Sequence, residues 1–256
     1  MLNSKTVDKI IFLDIESTSQ YPTFKEMPEN LQEIFKKRFK SLFDEVDINA
    51  PFESIELEYE NIYNKKAPLH AEWGKIVCIT IGWFQEKNIT NDFKGDLSFK
   101  TKSFFGDDEK KILNDFYLSM KTIMDASFNH THHLCGHAAK LFDFPFIAKR
   151  FILNRLPLPN ALDYGDKKPW DINYLIDTLD VWKYGQFDGG ITLDMLAVSF
   201  GIGSSKSEMD GSMVKDVYYV EKDLVKIERY CKADVCVLAE VYLRLKNMSN
   251  KVIIVS

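Results

Sequence analysis

Two apolar, β-branched runs constrain this chain more than any other feature: KIIFLDI at Lys9–Ile15 and GKIVCITIGWF at Gly74–Phe84. Neither run alternates apolar with polar residues, so neither suits a strand with one face in water. Each reads as a buried strand, bounded by polar or turn-forming residues. The first ends on an acidic pair, Asp14 and Glu16, two residues apart. Strand geometry points both of those carboxylates to one side.

The stretches around these runs supply the other elements of an α/β domain. Leu97 to Phe104 is a further strand, which would pair with Gly74–Phe84 through the NDFKGD turn. Asp108 to Met124 has helical spacing at Ile112, Leu113, Phe116, Met120 and Ile123, opened by acidic residues that suit a helix N-terminus. Leu134 to His137 is a short strand candidate, and a helix follows from Phe142, with Pro145 in its first turn and Asn154 and Pro157 beyond its end. Asp194 to Phe200 is another helix, stopped by Gly201. From Asp223 to about Lys246 the apolar residues Leu224, Ile227, Cys231, Val235, Leu238 and Tyr242 recur in steps of three and four, which is one helix face. Together these predict a mixed sheet flanked by helices within one domain over residues 1–256.

Between about residues 20 and 72 the character changes. NLQEIFKKRFKSLF has helical spacing and FESIELEYENIY only weak periodicity, so the segment reads as a mostly helical insertion between two strands of one sheet.

Composition narrows the class. The chain is 256 residues long with 45% hydrophobic and 28% charged residues, ordinary values for a soluble domain. No run approaches the about 18 apolar residues of a membrane span, and MLNSKTVDKI lacks the basic-then-apolar layout of a secretory leader. Cys78, Cys135, Cys231 and Cys236 sit in apolar segments, as reduced core thiols of a cytoplasmic protein do. A net charge of −5 provides no general attraction to nucleic acid, so any phosphate-handling surface has to be local or neutralised by metal ions.

Four carboxylates stand at structurally telling places: Asp14 and Glu16 at the end of the first strand, Asp143 at a helix start, and Asp234 inside the last helix. Tyr230 lies four residues before Asp234, on the same helix face. Hard divalent cations prefer carboxylate oxygens. Two of them about 4 Å apart can activate water and stabilise the leaving oxygen of a phosphodiester. That chemistry needs carboxylates converging from several elements and a group that positions the water.

These residues resemble a known family. FLDIES, CGHAAKLFDFPF and YCKADVCVLAEVY are similar to the first, second and third motifs of DnaQ-like 3′–5′ exonucleases, in the subgroup with a tyrosine in the third motif. DTLDVWKYG, ITLDMLAVSFGI, SKSEMDGSMVKDVY and YNKKAPLHAEWGKIVCITIG extend the resemblance, towards stand-alone exonucleases like the proofreading domains of family-B polymerases. It covers nearly all of the chain, most weakly residues 20 to 60.

The resemblance implies a ribonuclease H-like fold and 3′–5′ hydrolysis of single-stranded nucleic acid, DNA favoured over RNA, with two Mg²⁺ or Mn²⁺ ions. Position by position, Asp14, Glu16, Asp143 and Asp234 match the metal-binding acids, and Tyr230 matches the residue that orients the attacking water. Arg229 stands where a related subgroup has histidine, which favours the tyrosine subgroup. Asp177 matches an aspartate often found near the site. One departure is Ala138, where members often carry asparagine in a Gly-x-Asn pattern. An exoribonuclease with the same site and a catalytically weakened nucleic-acid-binding module are the alternatives.

Other candidates carry less. His130, His132, His133, Cys135 and His137 are all competent zinc ligands, but strand spacing spreads His133, Cys135 and His137 too far for one tetrahedral ion, and no matching pair lies elsewhere. For substrate contacts, Ile15, Phe142, His137 near the rim and Lys206 in a loop are the candidates. The run Lys36–Lys37–Arg38 reads as a solvated helix face, and Trp73 and Trp83 read as core.

Overall fold

Both apolar runs form strands at the centre of one sheet. The computed structural model describes residues 6–85, 94–125, 132–203, 209–250 and 252–255. β1 (Ile10–Ser19) and β2 (Gly74–Phe84) pair antiparallel, and β2 pairs antiparallel with β3 (Leu97–Phe105). Part of the expected NDFKGD turn lies outside the described residues. β4 (His133–Gly136) runs parallel to β1, and β5 (Leu175–Asp177) parallel to β4. β6 (Val252–Val255) runs parallel to β3 at the far edge, so the strand order is β5-β4-β1-β2-β3-β6. β5 and β6 have three and four residues, too short for a periodic signal in sequence.

β1 shows why the sheet is covered on both faces. Ile11, Leu13 and Ile15 join one apolar cluster with Phe116 of α4 (Glu109–Asp125) and Phe144, Ile147 and Phe151 of α5 (Asp143–Leu153). Ile10 and Phe12 point the other way, to Val235, Leu238 and Tyr242 of α9 (Leu224–Leu245). Phe12 meets Phe84, Phe99 and Tyr242 edge-on, with centroids 5.8, 5.7 and 5.5 Å away. Burying one such ring contributes about 1.5–3 kcal/mol.

The long final helix is defined at both ends. The Asp223 carboxylate caps it by accepting the Lys226 N–H at 2.9 Å, and Asn247, with φ 59°, takes the left-handed position just after it. Between β4 and α9 lie α6 (Thr178–Lys183), α7 (Leu193–Ser199) and α8 (Val214–Asp216), the last continuing into a π-helical turn at Val217–Glu221.

The segment between β1 and β2 is helical, including its weakly periodic part: α1 (Glu29–Arg38), α2 (Lys40–Asp44) and α3 (Phe52–Lys66). It has its own aromatic core of Phe24, Phe35, Phe39, Phe43, Tyr63 and Trp73. Lys36 packs over the ring of Tyr59, 4.5 Å from its centroid, rather than standing free as its basic run suggests. Lys215 of α8 joins this segment to the rest through Glu60 at 3.0 Å.

Under the sheet, Arg150 and Glu109 form a buried two-pronged ion pair, with Nε–Oε1 at 2.8 Å and Nη2–Oε2 at 2.5 Å. Glu109 also accepts the Ile76 N–H, and Arg150 donates to the Ala71 carbonyl. The pair thereby anchors α4 and α5 to the entrance of β2.

Candidate active site

Asp14 and Glu16 continue the row begun by Ile10 and Phe12, so both project to the α9 side of β1. Their partners across the β2 ladder are Thr80 and Cys78, and a register shift after Glu16 ends the regular pairing. Asp143 opens α5 and reaches β1 directly: its Oδ1 accepts the backbone N–H of Ile15 at 3.2 Å. Ile15 therefore holds the Asp143 carboxylate through its main chain, while its side chain is core.

From the other side α9 brings Tyr230, Cys231 and Asp234. The thiol of Cys231 lies 3.5 Å from both the carbonyl oxygen and Oδ2 of Asp14. The phenol of Tyr230 is hydrogen-bonded to Asp234 and feels the charges of Glu16 and Asp14. Asp14, Glu16, Asp143, Asp234 and Tyr230, scattered over more than 200 residues of chain, are thus brought together.

The electrostatics are those of crowded, desolvated acids. Burial first, then the charges of Asp143, Glu16 and Asp234, hold the Asp14 carboxyl well above the usual carboxylate range. Burial and Asp234 do the same to Glu16. Burial raises Asp143 to about 7, although the Ile15 N–H works in the opposite direction. Among the described residues, the charges that act on Asp14 are those of other acids. Glu16 is 6% exposed and makes no hydrogen bond to a described residue. Glu16 and Asp143 are buried and Asp14 and Asp234 half-buried, and such a cluster of carboxylates fits hard divalent cations, whose preferred donors are carboxylate oxygens.

The loop carrying motif two is braced by Asp177. Its Oδ1 accepts the N–H groups of Ala138 at 2.8 Å and Leu179 at 2.9 Å, and its Oδ2 accepts that of Lys140 at 3.0 Å. Ala138 sits at φ 57°, the left-handed region that asparagine tolerates better than alanine. At Ala138 this left-handed turn is held by the Asp177 carboxylate, with no side-chain amide.

The remaining candidates separate. Both ring nitrogens of His137 are engaged, Nδ1 with Thr178 Oγ1 at 2.9 Å and Nε2 with the Ile191 carbonyl at 2.8 Å, so His137 pins α6 and the following loop to motif two. It lies just beyond β4, off the strand. Phe142 packs at a tilt against Phe146, 5.2 Å between centroids, at the edge of the α5 cluster. Lys206 and His130 lie outside the described residues. Trp73 is buried and Trp83 packs against the core, as expected. Among the described residues, the group of His, Cys, Asp or Glu close enough to share an ion is Asp14, Glu16 and Cys231, and it contains no histidine. All four cysteines are buried and none is in a disulfide.

Sequence reasoning missed Cys231 and Cys78 as neighbours of the site and gave Asp177 no bracing role. Cys231 fell on the apolar face of α9, where periodicity assigns it to the core. Its contact with Asp14 depends on how α9 crosses β1.

A mixed six-stranded sheet flanked by helices on both faces defines the ribonuclease H-like α/β class. The chain belongs to the family described as "Predicted 3'-5' exonuclease related to the exonuclease domain of PolB", which matches residues 73–254. The matched range contains Asp143, Tyr230 and Asp234 and leaves out β1 with Asp14 and Glu16. Among solved structures, the family B DNA polymerase of the hyperthermophilic archaeon Pyrobaculum calidifontis shares the fold, with a TM-score of 0.53 and 13% identity. That likeness covers 92% of this chain and 24% of the polymerase chain, so the present chain corresponds to a minor part of its neighbour. Comparison with curated proteins found no match. Among the described residues no helix is long and apolar enough to cross a membrane.

Proposed function

We propose that this chain hydrolyses single-stranded DNA from its 3′ end, one nucleotide at a time, at the site formed by Asp14, Glu16, Asp143 and Asp234. The observation that carries this reading is the convergence of these acids from β1, α5 and α9 beside Tyr230. The family match supports exonuclease chemistry, and the likeness to a DNA polymerase favours DNA as the polymer.

The four carboxylates would hold two divalent cations, Mg²⁺ or Mn²⁺. When bound, these supply the positive charge that lowers the pKa of the attacking water and offsets charge developing on the phosphate oxygens. The protein's own task is positioning. Asp143 is fixed to β1 by the Ile15 N–H, so its carboxylate cannot swing away when the cluster is charged. Burial and the neighbouring acids push the Tyr230 phenol well above its ordinary value, so it stays protonated. A protonated phenol donating to Asp234 keeps oxygen lone pairs free to accept from the water and align it. Tyr230 therefore orients the nucleophile and does not take its proton.

The test is incubation with 5′-labelled single-stranded DNA and RNA in Mg²⁺, Mn²⁺ or chelator. A ladder shortening from the 3′ end, dependent on metal and abolished by Asp14→Ala, is the expected result. Failure to degrade either polymer with any metal rejects the reading, and degradation of RNA alone replaces DNA with RNA as the substrate.

A further inference from the structure

The thiol beside the acids has no part in the chemistry above. Asp14, Glu16 and Cys231 each offer a ligand atom, and those atoms all lie within 4.8 Å of one another. Cys231 Sγ is 3.5 Å from Asp14 Oδ2. In a tetrahedral zinc site, with metal–oxygen and metal–sulfur bonds of about 2.0–2.3 Å, neighbouring ligand atoms stand about 3.5 Å apart. The Asp14–Cys231 edge already has that length. The second observation is Glu16, 94% buried and without a hydrogen bond to any described residue, on the same row of β1 as Asp14.

We propose that Asp14, Glu16 and Cys231 form a mixed oxygen–sulfur site that captures thiophilic divalent cations, Zn²⁺ or Cd²⁺, at the same place the carboxylates offer to hard ones. Magnesium gains nothing from a thiol and holds to oxygen. Zinc and cadmium gain a thiolate bond when the Cys231 proton is released to solvent. A cation bound through sulfur is drawn towards α9 and Cys231, away from the position where oxygen donors alone would hold it. Soft metals would therefore occupy the site tightly and block the activity proposed above. Cys78, across from Glu16 and in hydrogen-bonding contact with Cys231, marks the sulfur side of the cluster.

This inference deepens the exonuclease reading by naming what regulates its site, and its test does not use activity. Titration with Cd²⁺ should produce the ultraviolet thiolate-to-metal charge-transfer band. Cys231→Ser should abolish that band and weaken Cd²⁺ binding about tenfold or more, while the melting shift given by Mn²⁺ persists. Cys78→Ser should keep the band. Should the Cys231 variant fail to fold, cadmium NMR of the unmodified chain reads sulfur ligation directly through its downfield shift. Absence of sulfur ligation in the unmodified chain overturns the proposal, as does a band that survives in Cys231→Ser. A chain that binds cadmium through sulfur but degrades no nucleic acid keeps this inference and rejects the exonuclease reading. An active chain without sulfur ligation does the reverse.

Discussion

The side chain of Asp143 is held by the main chain of Ile15: Oδ1 accepts the Ile15 N–H at 3.2 Å, across 128 positions of sequence. This bond ties an acid from α5 to the strand that carries Asp14 and Glu16 and separates its structural role from its charge. Asp143→Asn keeps an oxygen acceptor and removes the charge, so it should leave the fold intact and lower nuclease turnover at least about 100-fold. Asp143→Ala also strips the buried Ile15 N–H of its partner and should cost about 1–3 kcal/mol. Thermal melts beside single-turnover assays separate the two effects.

Stability of the metal-free chain should fall as pH rises. Asp14, Glu16 and Asp143 have folded-state pKa values above their unfolded ones, Asp143 reaching about 7. Groups raised in this way contribute stability that is fully present below the unfolded value of about 4 and lost as pH climbs through the folded value. Between about pH 4 and 7 the melting temperature should therefore decline. The stabilisation given by Mn²⁺ should grow over the same window, because the ion replaces the protons. Melting curves across pH, with Mn²⁺ or chelator, check this; a metal effect independent of pH would contradict it.

Tyr230→Phe removes the hydroxyl proposed to orient water and leaves the ring that packs beside Cys231. Turnover should drop about tenfold or more with little change in KM or melting temperature. A proportional loss in melting temperature would assign the phenol a structural role.

Ala138 pays for a left-handed conformation that glycine adopts freely. Ala138→Gly should stabilise the chain by about 1 kcal/mol, a rise of about 2–4 °C at this size. Asp177→Ala should do the opposite, leaving the Ala138, Lys140 and Leu179 N–H groups without their acceptor. Calorimetry of both variants tests whether Asp177 is the brace.

Removing one partner of the buried Arg150–Glu109 pair should cost about 3–5 kcal/mol, since the other charge is left desolvated. Arg150→Met alone should melt far below the double variant Arg150→Met/Glu109→Leu. Equal melting temperatures for single and double variants would show that the pair is not coupled.

By itself the sequence determined the elements whose burial is written in their pattern. β1 and β2 are continuous apolar runs, α4 and α9 carry one apolar face each, and Pro145 with Asn154 and Pro157 brackets α5, so local pattern was enough to place them. The acids and Tyr230 were legible too, because each sits on such an element and together they resemble the motifs of a family. Only the tertiary structure decided how these residues meet. β5 and β6 are too short to show a period, and α3 carries too weak a pattern to be read as a helix. The Asp143–Ile15 bond, the bracing of Ala138 by Asp177 and the contact of Cys231 with Asp14 join residues from 39 to 217 positions apart. Periodicity reports which face of an element is apolar. It carries no information on which residues two packed elements bring within 3.5 Å, and the chemistry proposed for this site depends on that distance.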